Sequence, residues 1–250
     1  QCGGEQLALL TISRADPTGY GRIVRQGEAV QAIVEHKDAT EAQRQIKEVY
    51  SGIMAVPARL LKGWLGRIDN QNVQGEYYLT DVVKLAVADG VPVVAHKIND
   101  PVQVAGVNSP VQLAELERAH QLRQAHRFME QGVRLKDPAR FDLRGQLDCA
   151  QDVEIDVNCI FEGRVSLGEG VKVGANSVIA NCTIAAGAVI HPFTHIDGEK
   201  LGVSVGEGAL IGPFARLRPG AQLAAEVHIG NFVEVKNSTL AKGAKANHLA

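Results

Sequence analysis

"VGEGALIGPFARLRPGAQLAAEVHIGNFVEV", residues 205–235, counts in sixes: Val205, Ile211, Leu217, Leu223, Ile229 and Val235 each open a hexad. The residue two places before is small or Val (Ala209, Ala215, Ala221, Val227, Val233), and Gly follows at 206, 212 and 230. A helix repeats near 3.6 and a strand at 2, so neither alone gives this spacing. Hexads of this form read as coils of a parallel β-helix, in which each short strand is too small to bury its own face and stacks on its neighbours. Towards the N-terminus, past a longer insertion, the count continues through Ile196, Ile190 and Ile184, then after a one-residue slip through Ile179, Val173, Leu167, Phe161 and Ile155. Residues 151–250 therefore form one repeat array.

Upstream the period changes. "LALLTI", "AVQAIVE", "VYSGIMAV" and "VPVVAHKI" read as strands, while "ARLLKGWLGRI" and "YLTDVVKLAVADG" carry apolar residues at helical spacing, the second stopping at Gly90. Residues 1–108 are thus an α/β domain. Residues 109–132 predict a long connecting helix with Leu113, Leu116, Ala119 and Leu122 on one stripe. Pro138 breaks that pattern, so residues 133–150 read as a linker.

Composition narrows the function classes. Aromatic residues make up 4% of the 250, which disfavours base-stacking modules, and a formal net charge of −2 gives no bulk attraction to nucleic acid or anionic membrane. Cys2, Cys149, Cys159 and Cys182 are widely spaced, a pattern of reduced thiols in a cytoplasmic protein rather than of disulfides or zinc. No apolar run approaches the roughly 20 residues of a membrane span.

Several polar residues exceed what a structural repeat needs. Arg218 and Lys236 both follow inward positions and lie one 18-residue coil apart, so they stack about 4.8 Å from each other. Two unneutralised cations that close favour a bound anion such as phosphate; spacing alone leaves a solvated surface pair as the alternative. Arg216 and Glu234, with the same offset and opposite charge, predict an ion pair. His191 and His195 are spaced HxxxH, but hexads do not bring such a pair onto one face, so solvated histidines are expected. In "TGYGRI", Gly19 and Gly21 permit close approach of a ligand to the backbone or simply form a turn.

The hexads resemble the left-handed β-helix of acyltransferases. Beyond that, "DPTGYGRIV", "IVEHKDAT", "GEYYLTD", "GVNSPVQLAELER", "DPARFDLRG", "IGPFARLRPGA", "IGNFVEVK" and "KANHL" occur in the order found in one bacterial family, the bifunctional N-acetylglucosamine-1-phosphate uridylyltransferases and glucosamine-1-phosphate acetyltransferases. The resemblance covers nearly the whole chain. It implies a Rossmann-like nucleotidyltransferase domain joined to a left-handed β-helix, a homotrimer, and two reactions with acetyl-CoA and UTP as co-substrates, ending in UDP-N-acetylglucosamine for peptidoglycan and lipopolysaccharide synthesis. By family match, Gly21, Glu35 and Thr80 contact the sugar nucleotide, Asn108 ligates Mg2+, Arg218 and Lys236 hold the sugar phosphate, and His248 is the base that deprotonates the attacking amine. A histidine suits that role, being partly neutral near pH 7.

The chain departs from the family in three places. The Gly-rich loop with its triphosphate-binding lysine and the aspartate sharing Mg2+ are missing; "QCGGE" does not replace them. Tyr50 stands where the family has asparagine, and the sequence stops two residues after His248, ahead of further coils. These features predict a piece lacking both ends. They keep two alternatives open: a non-catalytic β-helix assembly or binding module, and another sugar-1-phosphate nucleotidyltransferase.

Overall fold

A computed structural model describes residues 6–107 and 109–249. The chain divides into two compact units, residues 1–108 and 109–250.

The first unit is built on a five-stranded sheet of β1 (Leu7–Ser13), β2 (Arg22–Gln26), β3 (Ala29–Val34), β4 (Glu48–Ala55) and β5 (Val93–Ile98), ordered β3-β2-β4-β1-β5. Only β1 and β5 run parallel; the other pairs are antiparallel, so the α/β unit has a mixed sheet. β2 and β3 form a hairpin closed over Gly27 and Glu28, and Gly27 at φ +59° supplies the left-handed residue that a tight hairpin turn needs. Helices α1 (Glu41–Arg44), α2 (Ala58–Leu65) and α3 (Asp81–Ala88) complete the unit. Thr40 and Gln43 cap α1 reciprocally. Trp64 of α2 and Val82, Val83 and Ala86 of α3 pack with Leu7, Leu9, Ile23 and Ile33 in one core. Beside it Arg25 grips Glu48 through two 2.8 Å hydrogen bonds, and Thr11 donates to the same carboxylate at 2.6 Å.

In the second unit α4 (Pro110–Glu130) leads into a parallel β-solenoid of about six turns, matching a left-handed β-helix. One face stacks Arg134–Leu135, Glu154–Ile155, Lys172–Val173, Val189–Ile190, Leu210–Ile211, His228–Asn231 and Lys245–His248. Three longer strands, Phe141–Cys149, Cys159–Leu167 and Val178–Ile184, bend across a corner and feed the other two faces. The second face continues through His195–Asp197, Arg216–Leu217 and Glu234–Val235, the third through Val203–Val205, Gln222–Leu223 and Thr239–Leu240.

Positive-φ residues mark the three corners in columns. One holds Asn158, Asn176, Phe193, Phe214, Phe232 and Leu249; a second holds Asp152, Gly170, Gly187, Gly208, Glu226 and Gly243. The third, with Gly163, Asn181, Gly220 and Asn237, admits the extra residues of "DGEKLG", 197–202. All fourteen inward hexad positions are buried, none more than 7% exposed. At Gly230 a Cβ would overlap the carbonyl of Asn247 in the next coil, which is why glycine follows the inward residue there.

Two expectations change. Residues 133–150 are no linker: Phe141–Cys149 pairs along its length with Cys159–Leu167 and is part of the first coil. On α4 the buried residues are Gln121, Ala125 and Phe128, whereas Leu113 and Leu122 are exposed. The reason is a strand edge that needs covering. Gln121 Nε2 donates to the Leu143 carbonyl at 2.9 Å and its Oε1 accepts from the Leu143 amide at 2.8 Å, so the side-chain amide stands in for a neighbouring strand. Arg118 adds a bond to the Ala139 carbonyl at 2.9 Å and pairs with Asp142.

Candidate functional site

Three expected site residues of the first unit come together at the open end of the β2–β3 hairpin. The last paired step of that ladder is Arg22 with Val34, and one residue further Gly21 faces Glu35. A Cβ on Gly21 would lie 2.7 Å from Ile33 Cγ2 and 3.4 Å from Glu35 Oε1, so only glycine leaves room there. Thr80, at the start of α3 and 8% exposed, donates through Oγ1 to Glu35 Oε1 at 2.9 Å. That bond fixes one carboxylate oxygen, while Oε2 accepts from no described residue.

Tyr50 belongs to the same cluster. Its amide donates to the Gly21 carbonyl at 2.9 Å, and its half-buried ring packs against the core of this unit. Burial first, and then the nearby Glu35 charge, raise its phenol above the ordinary tyrosine value. The phenol therefore keeps its proton at physiological pH and is able to donate a hydrogen bond.

Glu35 also lines a cleft of about 630 Å3 together with Asp38, Asp69, Tyr78, Asp81 and Lys84. Desolvation raises the Asp81 carboxyl above the usual range; Lys84 opposes that shift, and Asp69 and Asp38 add to it. Asp38, Tyr78 and Asp81 lie inside "IVEHKDAT" and "GEYYLTD" and are not among the expected contact residues. Their place in those two segments, each adjoining an expected contact residue, was the available signal. Asn108 lies outside the described residues.

In the solenoid, Leu217 pairs with Val235 and Arg216 with Glu234, which aligns Arg218 with Lys236 one coil away. The expected Arg216–Glu234 ion pair forms at 3.3 Å. Arg218 is not the unneutralised cation that spacing suggested, because Glu234 turns its other oxygen to Arg218 at 2.8 Å. The hydrogen bond from Arg218 is the main reason the Glu234 carboxyl titrates below its ordinary value. Lys236 forms no ion pair among the described residues, so the group of three cations and one carboxylate keeps an excess of positive charge.

His248 is elsewhere on the prism. It pairs opposite Asn231 at the corner between the first and second faces, whereas Arg218 and Lys236 follow the second-face strands at the next corner. One chain therefore aligns the two cations with each other but does not bring His248 to them. The HxxxH pair straddles a corner, with His195 opening the second-face strand. Among the described residues no three His, Cys, Asp or Glu side chains are grouped to hold a metal ion.

No family model matches the chain. Curated relatives do: "Bifunctional protein GlmU" of Polaromonas sp. (strain JS666 / ATCC BAA-500) is 79% identical across 100% of this chain and 54% of the relative. By sequence, the chain is similar to GlmU. The GlmU of Albidiferax ferrireducens is 76% identical over 99% of this chain, and that of Stutzerimonas stutzeri 56% over 99%. In each case 54% of the relative is covered, so the chain spans about half the length of the GlmU proteins it matches. The mixed-sheet unit and the solenoid both fall within that span.

Proposed function

We propose that the chain carries parts of two transferase sites of UDP-N-acetylglucosamine synthesis. One transfers an acetyl group from acetyl-CoA to glucosamine 1-phosphate; the other joins N-acetylglucosamine 1-phosphate to UTP. The observation that carries the reading is the convergence of Gly21, Glu35 and Thr80 through the 2.9 Å Thr80–Glu35 bond. In it, Gly21 lets the sugar approach the backbone and Glu35 Oε2 accepts from a sugar hydroxyl. The Tyr50 phenol closes the side where the family has an amide.

For acetyl transfer, Lys236 and Arg218 bind the sugar phosphate. His248 takes a proton from the amine, so that the nitrogen lone pair can attack the thioester carbon as the C–S bond breaks. The separation of His248 from the two cations in one chain supports a site shared between copies, and hence a homotrimer. Mg2+ on Asn108 and a cytoplasmic setting belong to the same reading; no helix among the described residues is long and apolar enough to cross a membrane.

Titration calorimetry of the chain with N-acetylglucosamine 1-phosphate tests the proposal. Binding that Glu35→Gln weakens at least tenfold supports it; no binding, or binding indifferent to Glu35→Gln, refutes the sugar site. Sedimentation tests the trimer. The assembly-module reading draws on the neutralisation of Arg218 by Glu234, and loss of glucosamine 1-phosphate binding in Lys236→Ala would exclude it.

A further inference from the structure

Arg22 is 1% exposed, yet no carboxylate pairs with it among the described residues. Its Nη1 donates to the Tyr20 carbonyl, its Nη2 lies 3.0 Å from His36 Nδ1, and its Nε is shielded from solvent without a hydrogen-bond partner among the described residues. A buried charge without a counter-charge is expensive, so a guanidinium kept in such a place needs a reason. Guanidinium keeps its protons and only donates; Nδ1 of His36 therefore accepts, and the imidazole proton sits on Nε2.

The residues it ties flank the sugar cluster. Tyr20 precedes Gly21, and His36 follows Glu35. The Cβ position of Gly21 lies against Ile33 and Glu35, while Arg22, the next residue along, faces the other side of the hairpin end, where His36 meets it from the turn after β3. The paired ladder stops at Arg22 and Val34, and β3 is the edge strand of the sheet. Past that step no backbone hydrogen bond between described residues holds Gly21 against Glu35.

We infer that Arg22 is a positioning residue, a buried two-pronged clamp that sets the separation of Gly21 and Glu35 from behind. The inference rests on the sugar-site reading above. A forked guanidinium reaches both acceptors at once, which the single ammonium of lysine does not. The clamp thus extends the hairpin by one step with side chains where the backbone ladder has ended.

Two measurements on the 250-residue chain test it. The first, without ligand, is 15N NMR of the His36 ring in the parent and in Arg22→Lys. An unprotonated Nδ1 and protonated Nε2 in the parent, with the signature changed in Arg22→Lys, is the expected result. A protonated Nδ1 in the parent, or an unchanged ring in the variant, overturns the clamp.

The second is affinity for N-acetylglucosamine 1-phosphate. Arg22→Lys and His36→Leu each weaken it about tenfold or more, while His36→Asn, whose Oδ1 replaces Nδ1 as acceptor, stays near the parent value. Binding that is lost in Glu35→Gln but retained in Arg22→Lys sinks the clamp alone. A parent chain that does not bind the sugar phosphate sinks the sugar-site reading and the positioning role with it.

Discussion

Replacing Gln121 by Leu would uncap the solenoid at the strand edge under α4. Gln121 is 2% exposed and Leu143 6% exposed, so the Leu143 amide and carbonyl that Gln121 satisfies cannot turn to solvent. Each buried backbone group left unpaired costs about 1–3 kcal/mol, and two are orphaned together. Leucine is close in volume and keeps water out, so a loss of about 3–5 kcal/mol is expected; alanine leaves space for water and costs about 2–3 kcal/mol. The assay is native-state hydrogen exchange at the Leu143 amide, paired with urea unfolding, because a repeat array need not melt in one step. Gln121→Leu should strip protection from Leu143 while strands several coils away, such as Leu210–Ile211, keep theirs. Unchanged protection at Leu143, or a destabilisation below about 1 kcal/mol, would show that the side-chain amide is not acting as the missing strand.

Three further outcomes follow from the geometry. Gly230→Ala places a methyl against the Asn247 carbonyl and should release the strand Lys245–His248 at a cost of about 2–4 kcal/mol, seen as new proteolytic cleavage there. Glu48 titrates below its ordinary value, chiefly because Arg25 donates to it. Its contribution to the stability of the first unit is therefore complete above the unfolded value of roughly 4.3 and is lost as pH falls through the lower folded value. Glu48→Gln should flatten that part of a stability–pH curve, and an unaltered slope would refute the assignment. Burial pushes the thiols of Cys149 and Cys182 up to about 12 and that of Cys159 to about 11. At pH 8 all three should resist iodoacetamide in the folded chain and react on unfolding, as mass spectrometry would show.

The hexad array was legible because every inward residue obeys one spacing, and the solenoid buries each of them. Its first coil was not, for two local reasons. Cys149 sits where the count asks for Leu, Ile or Val, and Gly145 bends the strand at the corner. β2 was hidden in the same way: "TGYGRI" drew attention as a glycine turn, so the strand beginning inside it went unread. On α4 apolar periodicity pointed to Leu113 and Leu122, and burial instead followed a polar residue, Gln121, because hydrogen bonding to a strand edge outweighed apolar area. Gly21, Glu35 and Thr80 were read residue by residue from resemblance, while the bond joining Thr80 to Glu35 depends on a contact 45 residues apart in sequence. No single-chain spacing rule could announce that Glu234 serves both Arg216 and Arg218. The conformation of the exposed Glu234 side chain, not the register, decides it.

Three extra residues, 199–201, enter the array at a corner, between the second and third faces, and leave the flanking strands in register. Gly198 still donates to Ala180 of the coil before, and Gly220 of the coil after donates to Gly202. The corner thus works as an expansion joint. Chain length can be added or removed there without displacing the stacked positions downstream, so the alignment of Arg218 with Lys236 is insulated from what happens in this loop. A peptide tag or reporter spliced between Glu199 and Leu201 would ride on the outside of the prism and leave the count in sixes intact.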